Sequence, residues 1–487
     1  MGSHLMETRI HFDNSYLKLP DRFYAKVLPA KVSQPHLIDF NEELAVQELG
    51  LDLKNLSEPE LANFFTGQLV PKNASSLAFA YAGHQFGQFV PQLGDGRACL
   101  LGEVVNSKGH RYDIQFKGSG QTPFSRGGDG KSSLGPVIRE YIVSEAMHFL
   151  GVPTTRALAA ATTGDSVYRE GTLPGGIFTR VASSHIRIGT FEYFAARGDL
   201  DALKLLLDYS VHRHYPEIKD GPNLSLSFLQ KVAASHASMV AHWMSFGFIH
   251  GVMNTDNMSI SGETIDYGPC AFMDNFAFNR VFSSIDRNGR YAYNNQMNIA
   301  KWNLYRLAGC LVPFVHDDEK EAINLLEASI KSYISLYEDK WRETMGKKLG
   351  LFNPKPDDEE LINQWLRYLE EKDLDFTISF KKLGETPHDL EETSQLKDFL
   401  AKWKKRLEDQ SQGPQEVKDL MDSVNPLFIP RNHQVERAIQ AALKGDLTIF
   451  KDLNQLLKNP YVDQPKFEEY KAPPQPQERI KATFCGT

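Results

Sequence analysis

Cysteine is scarce: there are four in 487 residues (Cys99, Cys270, Cys310 and Cys485), and no two form a CxxC pair. That excludes a zinc knuckle and a dense disulfide framework, and makes a reducing compartment the expectation. Long apolar runs are missing as well. The longest, around Leu307 to Val315, is far short of the roughly 20 residues a membrane span needs. Positive charge is not in excess either: 54 Lys and Arg stand against 62 Asp and Glu, a net charge of −8. No global field holds a polyanion, so nucleic acid is not an expected partner. Neither a GxSxG elbow nor an HExxH helix occurs, which argues against the common hydrolases. With 41% hydrophobic and 24% charged residues, the chain reads as folded and soluble, long enough for several structural units.

Met1 to Met6 reads as an expression-tag remnant, with no apolar signal core after it. Residues 7–75 are punctuated by Pro20, Pro29, Pro35 and Pro71, with a helical pattern only near Asn41 to Leu51, and form an N-terminal extension. From Tyr81 to Val105 (YAGHQFGQFVPQLGDGRACLLGEVV) the chain is rich in glycine and aromatics. There the order Phe89 to Leu93, Gly94-Asp95-Gly96, Ala98 to Val105 predicts a β-hairpin. A third strand, Tyr112 to Lys117, ends on its lysine. Gly118 to Gly135 is a polar loop with six glycines, and Pro136 to Leu150 has helical periodicity closed by Gly151. Strand signals at Ala157 to Thr162, Ser166 to Glu170 and Gly176 to Val181 complete a small α+β lobe spanning 76–189.

Helical patterns dominate from about Thr190. Leu224 to Phe246 carries apolar residues at spacings of three and four and stops at Gly247, just before His250. The expected divisions are a second lobe over 190–345, a helical extension over 346–472 with helices near 355–372, 391–408 and 435–457, and a tail over 473–487.

Residues suited to phosphoryl chemistry recur in a telling order. Gly94-Asp95-Gly96-Arg97 offers backbone amides to phosphate oxygens, Lys117 supplies a cation, Glu140 on the following helix can hold it, and Asn257 and Asp266 are hard oxygen donors for magnesium. His250 and Asn257 (HGVMNTDN) match the separation in the kinase HRDxxxxN loop. Val252 stands where a kinase has its catalytic aspartate, so the usual base is absent and Asp256 is the nearest replacement. Asp266-Tyr267-Gly268 takes the place of DFG. Gly130-Lys131-Ser132 looks like the end of a Walker A loop, but Ser125 occupies the required glycine, which excludes a P-loop. The loop's glycines with Arg126, Asp129 and Lys131 still suit a phosphate nest. Arg180 and Arg187 (FTRVASSHIRIG) can clamp phosphates, or else be solvated surface arginines. His84, His185, His236 and His242 lack metal-ligand spacing and read as structural.

The runs YAGHQFGQFVPQLGDGRACLLGE, DIQFKGSGQTPFSRGGDGKSSLGPVIREYIVSEAMHFLG, FTRVASSHIRIGTFEYFA and HGVMNTDNMSISGETIDYGP resemble the selenoprotein O family of protein kinase-like adenylyltransferases. The resemblance covers nearly the whole chain from about Leu77. It implies an α+β, bilobal protein kinase-like fold with N-terminal and helical C-terminal extensions, binding ATP in an inverted orientation. AMP then passes to Ser, Thr or Tyr hydroxyls of protein substrates and pyrophosphate leaves. By position, Asp256 matches the family's proton acceptor, Asn257 and Asp266 its magnesium ligands (manganese being the substitute), and Lys117 pairs with Glu140. Gly94, Gly96, Arg97, Lys117, Asp129, Gly130, Arg180, Arg187 and Asp266 match nucleotide contacts.

The selenium-containing members carry selenocysteine near the C-terminus, where this chain has Cys485. A redox pair of Cys270 with Cys485 is one expectation, two free thiols the other. Two other functions stay open: a kinase transferring the γ-phosphoryl group, and a silent ATP-binding scaffold that senses redox state. A monomer without membrane or nucleic-acid partners is expected, in a bacterial cytoplasm, or in mitochondria for a eukaryotic chain trimmed of its presequence.

Overall fold

The computed structural model describes residues 10–391 and 393–484. Its first half is built from β1 (Tyr24–Lys26), β2 (His36–Phe40), β3 (Leu77–Phe79), β4 (Gly83–Gln85), β5 (Gln88–Val90), β6 (Ala98–Val105), β7 (Arg111–Lys117), β8 (Ser132–Ser133), β9 (Arg156–Tyr168) and β10 (Thr172–Ala182). One antiparallel sheet runs β1-β3-β6-β7-β10-β9-β2, with β8 paired to β10. Both edge strands come from residues before 75. Register sets Gln115 opposite Arg180, and Lys117, two residues further along β7, projects from the same face as Gln115.

The helices are α1 (Glu58–Phe65), α2 (Leu134–Phe149), α3 (Ile188–Ala195), α4 (Leu200–His214), α5 (Leu224–Ser245), α6 (Gln296–Leu311), α7 (Glu319–Lys348), α8 (Asp358–Glu371), α9 (Phe376–Glu385), α10 (Ser394–Glu408), α11 (Pro414–Val424), α12 (Asn432–Ala442) and α13 (Thr448–Leu456). The result is a mixed α+β protein whose helices lie mostly after the sheet. Alanines make β9 thin enough to be covered on both sides: Ala157 and Ala160 pack with Ile138 and Tyr141 of α2, while Leu158 and Ala159 join Phe64 and Phe65 of α1. The outer face of α2 is in turn covered from far along the chain by Val435 and Ile439 of α12 and Phe450 and Leu453 of α13. Among the described residues no helix is long and apolar enough to cross a membrane.

The helix expected from Leu224 forms as α5. The Asn223 side chain caps it by accepting from the Leu226 amide at 3.0 Å, and it ends at Gly247 with φ +66° before β11 (Phe248–Ile249), which pairs with β12 (Ala271–Phe272). One local expectation is corrected. The hairpin predicted around Gly94 to Gly96 does not form; β4 and β5 make one turning at Phe86-Gly87, and β6 pairs with β3 and β7 instead. The Leu93 and Gly94 amides both donate to Tyr81 O and the Asp95 amide to Phe79 O, which folds that segment back against β3. The helical pattern over 435–457 forms as α12 and α13, and Gly445 between them has φ +85°.

Candidate active site

Gly94, Gly96, Arg97, Lys117, Asp129, Gly130, Arg180, Arg187, Asp256, Asn257 and Asp266 all line one cleft of about 500 Å³. Its centre is Asp266, which takes φ +63°, a backbone state that a non-glycine residue adopts at a cost. Three cations meet its carboxylate: Lys117 Nζ and Arg180 Nη1 reach Oδ1, each at 2.7 Å, and Arg187 Nη1 reaches Oδ2 at 2.7 Å. Burial opposes ionisation of Asp266, but these charges outweigh it and hold its carboxyl well below the usual range. Glu140, buried on α2, braces the same cations, 2.6 Å from Lys117 Nζ and 3.2 Å from Arg180 Nη1. Arg180 also donates from Nε to Gln115 Oε1 at 2.8 Å, the contact that the strand register makes available. Neither arginine is a surface residue: Arg180 is 1% exposed and Arg187 3%.

Arg187 connects the Asp266 carboxylate to the backbone of Asp256, because Nη1 also donates to the backbone oxygen of Asp256 at 2.6 Å. Its guanidinium lies 4.6 Å from the centre of the Tyr81 ring, and Nη2 is 3.8 Å from Asp95. Asp95 is itself fixed by the Phe79 amide at 3.0 Å and by Gln115 Nε2 at 3.1 Å. Burial pushes the Asp256 carboxyl up to about 6 against the pull of Arg187. Its Oδ2 accepts from Gln85 Nε2 at 3.3 Å, and its buried Oδ1 has no hydrogen-bond partner among the described residues. Asn257 donates from Nδ2 to Val252 O at 3.0 Å, so Val252, buried two residues after His250, closes the loop through its backbone. His250 stacks on Trp243 and lies 2.9 Å through Nε2 from Ile265 O, tying the loop to the segment that carries Asp266.

The β4–β5 hairpin, which the sequence reading displaced, is part of this site. The His84 amide donates to Thr255 Oγ1 at 2.6 Å, the Phe86 amide to Asn254 Oδ1 at 3.1 Å, and His84 Nδ1 lies 2.5 Å from Glu192. Gly83 permits the approach: a Cβ there would sit 2.6 Å from Asp256 Oδ1. Gln85, Tyr81, Gln115 and Arg169 are the contributors that sequence reasoning missed, whereas Asp95 was read there for its backbone and enters through its carboxylate. The GHQFGQ run was the available signal for the first.

The glycine loop lines the cleft from Ser125 to Lys131. Gly130 has φ +66°, and a Cβ would lie 2.1 Å from Gly120 O, so only glycine lets the loop close on itself there. Asp129 is gripped by Arg169 through two contacts of 3.0 Å. Cys270 is buried four residues after Asp266, whereas Cys485 and its expected pairing lie outside the described residues. The tail does reach this region, since Thr483 Oγ1 donates to Pro269 O at 2.5 Å. Among the described residues no three His, Cys, Asp or Glu side chains form a metal cluster; Asn257 and Asp266 offer one amide and one carboxylate.

Known proteins share this chain's whole length. The family described as Protein adenylyltransferase SelO matches residues 7–458. Protein nucleotidyltransferase YdiU of Rhizobium leguminosarum bv. trifolii is 52% identical over 487 residues, covering 98% of this chain and 97% of that protein. The protein of the same description from Rhizobium meliloti is 52% identical over 491 residues, covering 99% and 100%, and that from Rhodopseudomonas palustris is 50% identical over 493 residues, again covering 99% and 100%.

Proposed function

The chain belongs to the SelO family of protein adenylyltransferases and is a protein nucleotidyltransferase, and from that premise we propose how its residues carry AMP from ATP to protein hydroxyls. In this reading residues 76–189 and 190–345 are the two lobes of a protein kinase-like fold, and ATP lies between them in the cleft around Asp266. The observation that carries it is the convergence of Lys117, Arg180 and Arg187 on one carboxylate beside Asp256.

Three fixed cations offset the charge of the pyrophosphate that leaves when the α-phosphorus is attacked. Preorganised charge in a buried cleft acts without reorganisation at the moment of reaction. Glu140 keeps Lys117 and Arg180 in place. The glycine loop, with Gly130 and the Asp129–Arg169 pair, lines the cleft and limits water, which otherwise competes with the protein hydroxyl. Asp256 accepts the proton of a Ser, Thr or Tyr hydroxyl; its Oδ1 is the unpartnered acceptor, and Gln85 and Arg187 fix the rest of the residue.

The donors fit magnesium, which takes oxygen ligands and keeps several waters and phosphate oxygens in its shell, so one carboxylate and one amide suffice. Asp266 and Asn257 would hold it, and there it would neutralise phosphate charge. Incubation with ATP labelled at the α or the γ position separates this reading from the alternatives. Protein labelled from the α position alone is the expected outcome; label from the γ position alone means a kinase, and none from either a silent scaffold.

A further inference from the structure

Beside the cleft, on the outer side of the β4–β5 hairpin, two arginines converge on one indole. The guanidinium carbons of Arg290 and Arg306 lie 4.8 and 4.9 Å from the centre of the Trp302 ring, less than 10 Å from each other by those two distances. Like charges at that separation repel within about one Debye length. Among the described residues no carboxylate lies within ion-pair distance of either, although the chain as a whole is acidic at −8. Two neighbouring acids are committed to other groups, although Glu192 still feels the charge of Arg306. Asp286 accepts the backbone amides of Arg290 and Tyr291 at 2.9 and 2.8 Å, and Glu192 is buried against His84 and Thr255. Among the described residues Arg290 Nε is buried without a hydrogen-bond partner, and Arg306 is exposed.

Aromatic surface adjoins these charges. The His84 ring lies 5.2 Å from Trp302 and 5.0 Å from Phe89, which is 40% exposed. The same hairpin faces the reaction centre: Gln85 contacts Asp256, while a Cβ on Gly87 would lie 3.4 Å from the Arg290 guanidinium. Tyr291 completes the link by donating to Asn254 Oδ1 at 2.6 Å, the oxygen that also holds the Phe86 amide.

We propose that Arg290 and Arg306, with Trp302 and Phe89, form the docking surface for the protein substrate, and that they select an Asp or Glu flanking the target hydroxyl. The inference rests on the adenylyl-transfer reading and specifies its substrate. Carboxylates pair with guanidinium groups through two parallel hydrogen bonds, and arginines with aromatics are the side chains on which binding energy concentrates. Charge complementarity fixes the register of the bound segment.

The test uses the full chain and dye-labelled peptides with a central Tyr, Thr or Ser flanked by Glu, Gln or Lys. Affinity is read by fluorescence anisotropy with a non-hydrolysable ATP analogue present, and transfer from α-labelled ATP is read in parallel. The Glu-flanked peptides should bind at least ten-fold more tightly than the Lys-flanked ones at low salt. Arg306→Gln and Arg290→Gln should each erode that preference through the peptide KM, and Arg306→Glu should invert it, while ATP affinity stays within two-fold. Equal binding of Glu- and Lys-flanked peptides, a preference that survives both Gln variants, or no peptide binding at all overturns the docking surface. Charge-selective binding without any label would instead contradict adenylyl transfer and uphold the surface.

Discussion

Asp266 and Lys348 are opposite solutions to burying charge. Removing one partner from a buried, hydrogen-bonded ion cluster such as that around Asp266 costs about 3–5 kcal/mol, because it strands the rest. Lys348, at the end of α7, is 2% exposed and has three rings around its Nζ, from Phe246, Phe376 and Phe380, the last at 4.5 Å. A desolvated cation gains about 2 kcal/mol from aromatic faces, less than burial takes away. Burial accordingly lowers its pKa from 10.5 to about 7. Between those two values the unfolded chain binds the extra proton, so this lysine's contribution to stability rises with pH from 7 to 10.5, and its cost is fully felt at and below 7. Lys348→Met should therefore raise stability at pH 7 by about 1–4 kcal/mol, with the gain fading toward pH 10. Thermal melts across that range measure it, and a variant less stable at pH 7 would contradict the assignment.

At the scale of elements, α2 matters more than its length suggests, since it carries Glu140 inward and is held from outside by α12 and α13. Tyr141 meets Phe450 edge to face at 5.3 Å between ring centres. Phe450→Ala should cost about 3–5 kcal/mol as a buried cavity and also raise the KM for ATP by loosening the Lys117–Glu140 pair. Stability lost with an unaltered KM would show that the brace does not reach the site. This packing was invisible in the sequence because its partners lie some 300 residues apart. The strand ending at Lys117 and the helix α5 were legible, since each carries its own periodicity and a local stop. The hairpin was not: glycines at 83, 87, 94 and 96 make several turns locally plausible, and the choice is made by Asn254, Thr255 and the backbone of Tyr81. Arg180 and Arg187 read equally well as surface residues until the fold delivers Asp266, 86 and 79 positions later.

Across the whole molecule the sheet supplies cations and the helical half supplies acceptors, and the cleft exists only where they meet. Lys117, Arg180 and Arg187 come from the sheet and the turn after it, whereas Asp256, Asn257 and Asp266 come from the loop after α5. Sequence motifs singled out Lys117 and the acceptors, because these residue types keep an order that phosphoryl chemistry requires, while Arg180 and Arg187 stayed open until the fold brought them to Asp266. The hairpin that joins them, and the Arg290–Trp302–Arg306 surface beyond it, became visible only in three dimensions. In the proposed adenylyl transfer Asp256 is the one proton acceptor, and the proposal stands or falls on it. The decisive measurement is single-turnover transfer from α-labelled ATP by wild type and Asp256→Asn, with nucleotide affinity determined alongside. The account predicts ATP affinity within a few-fold and transfer reduced by about 10²–10⁴-fold. Transfer by Asp256→Asn at close to the wild-type rate would contradict it.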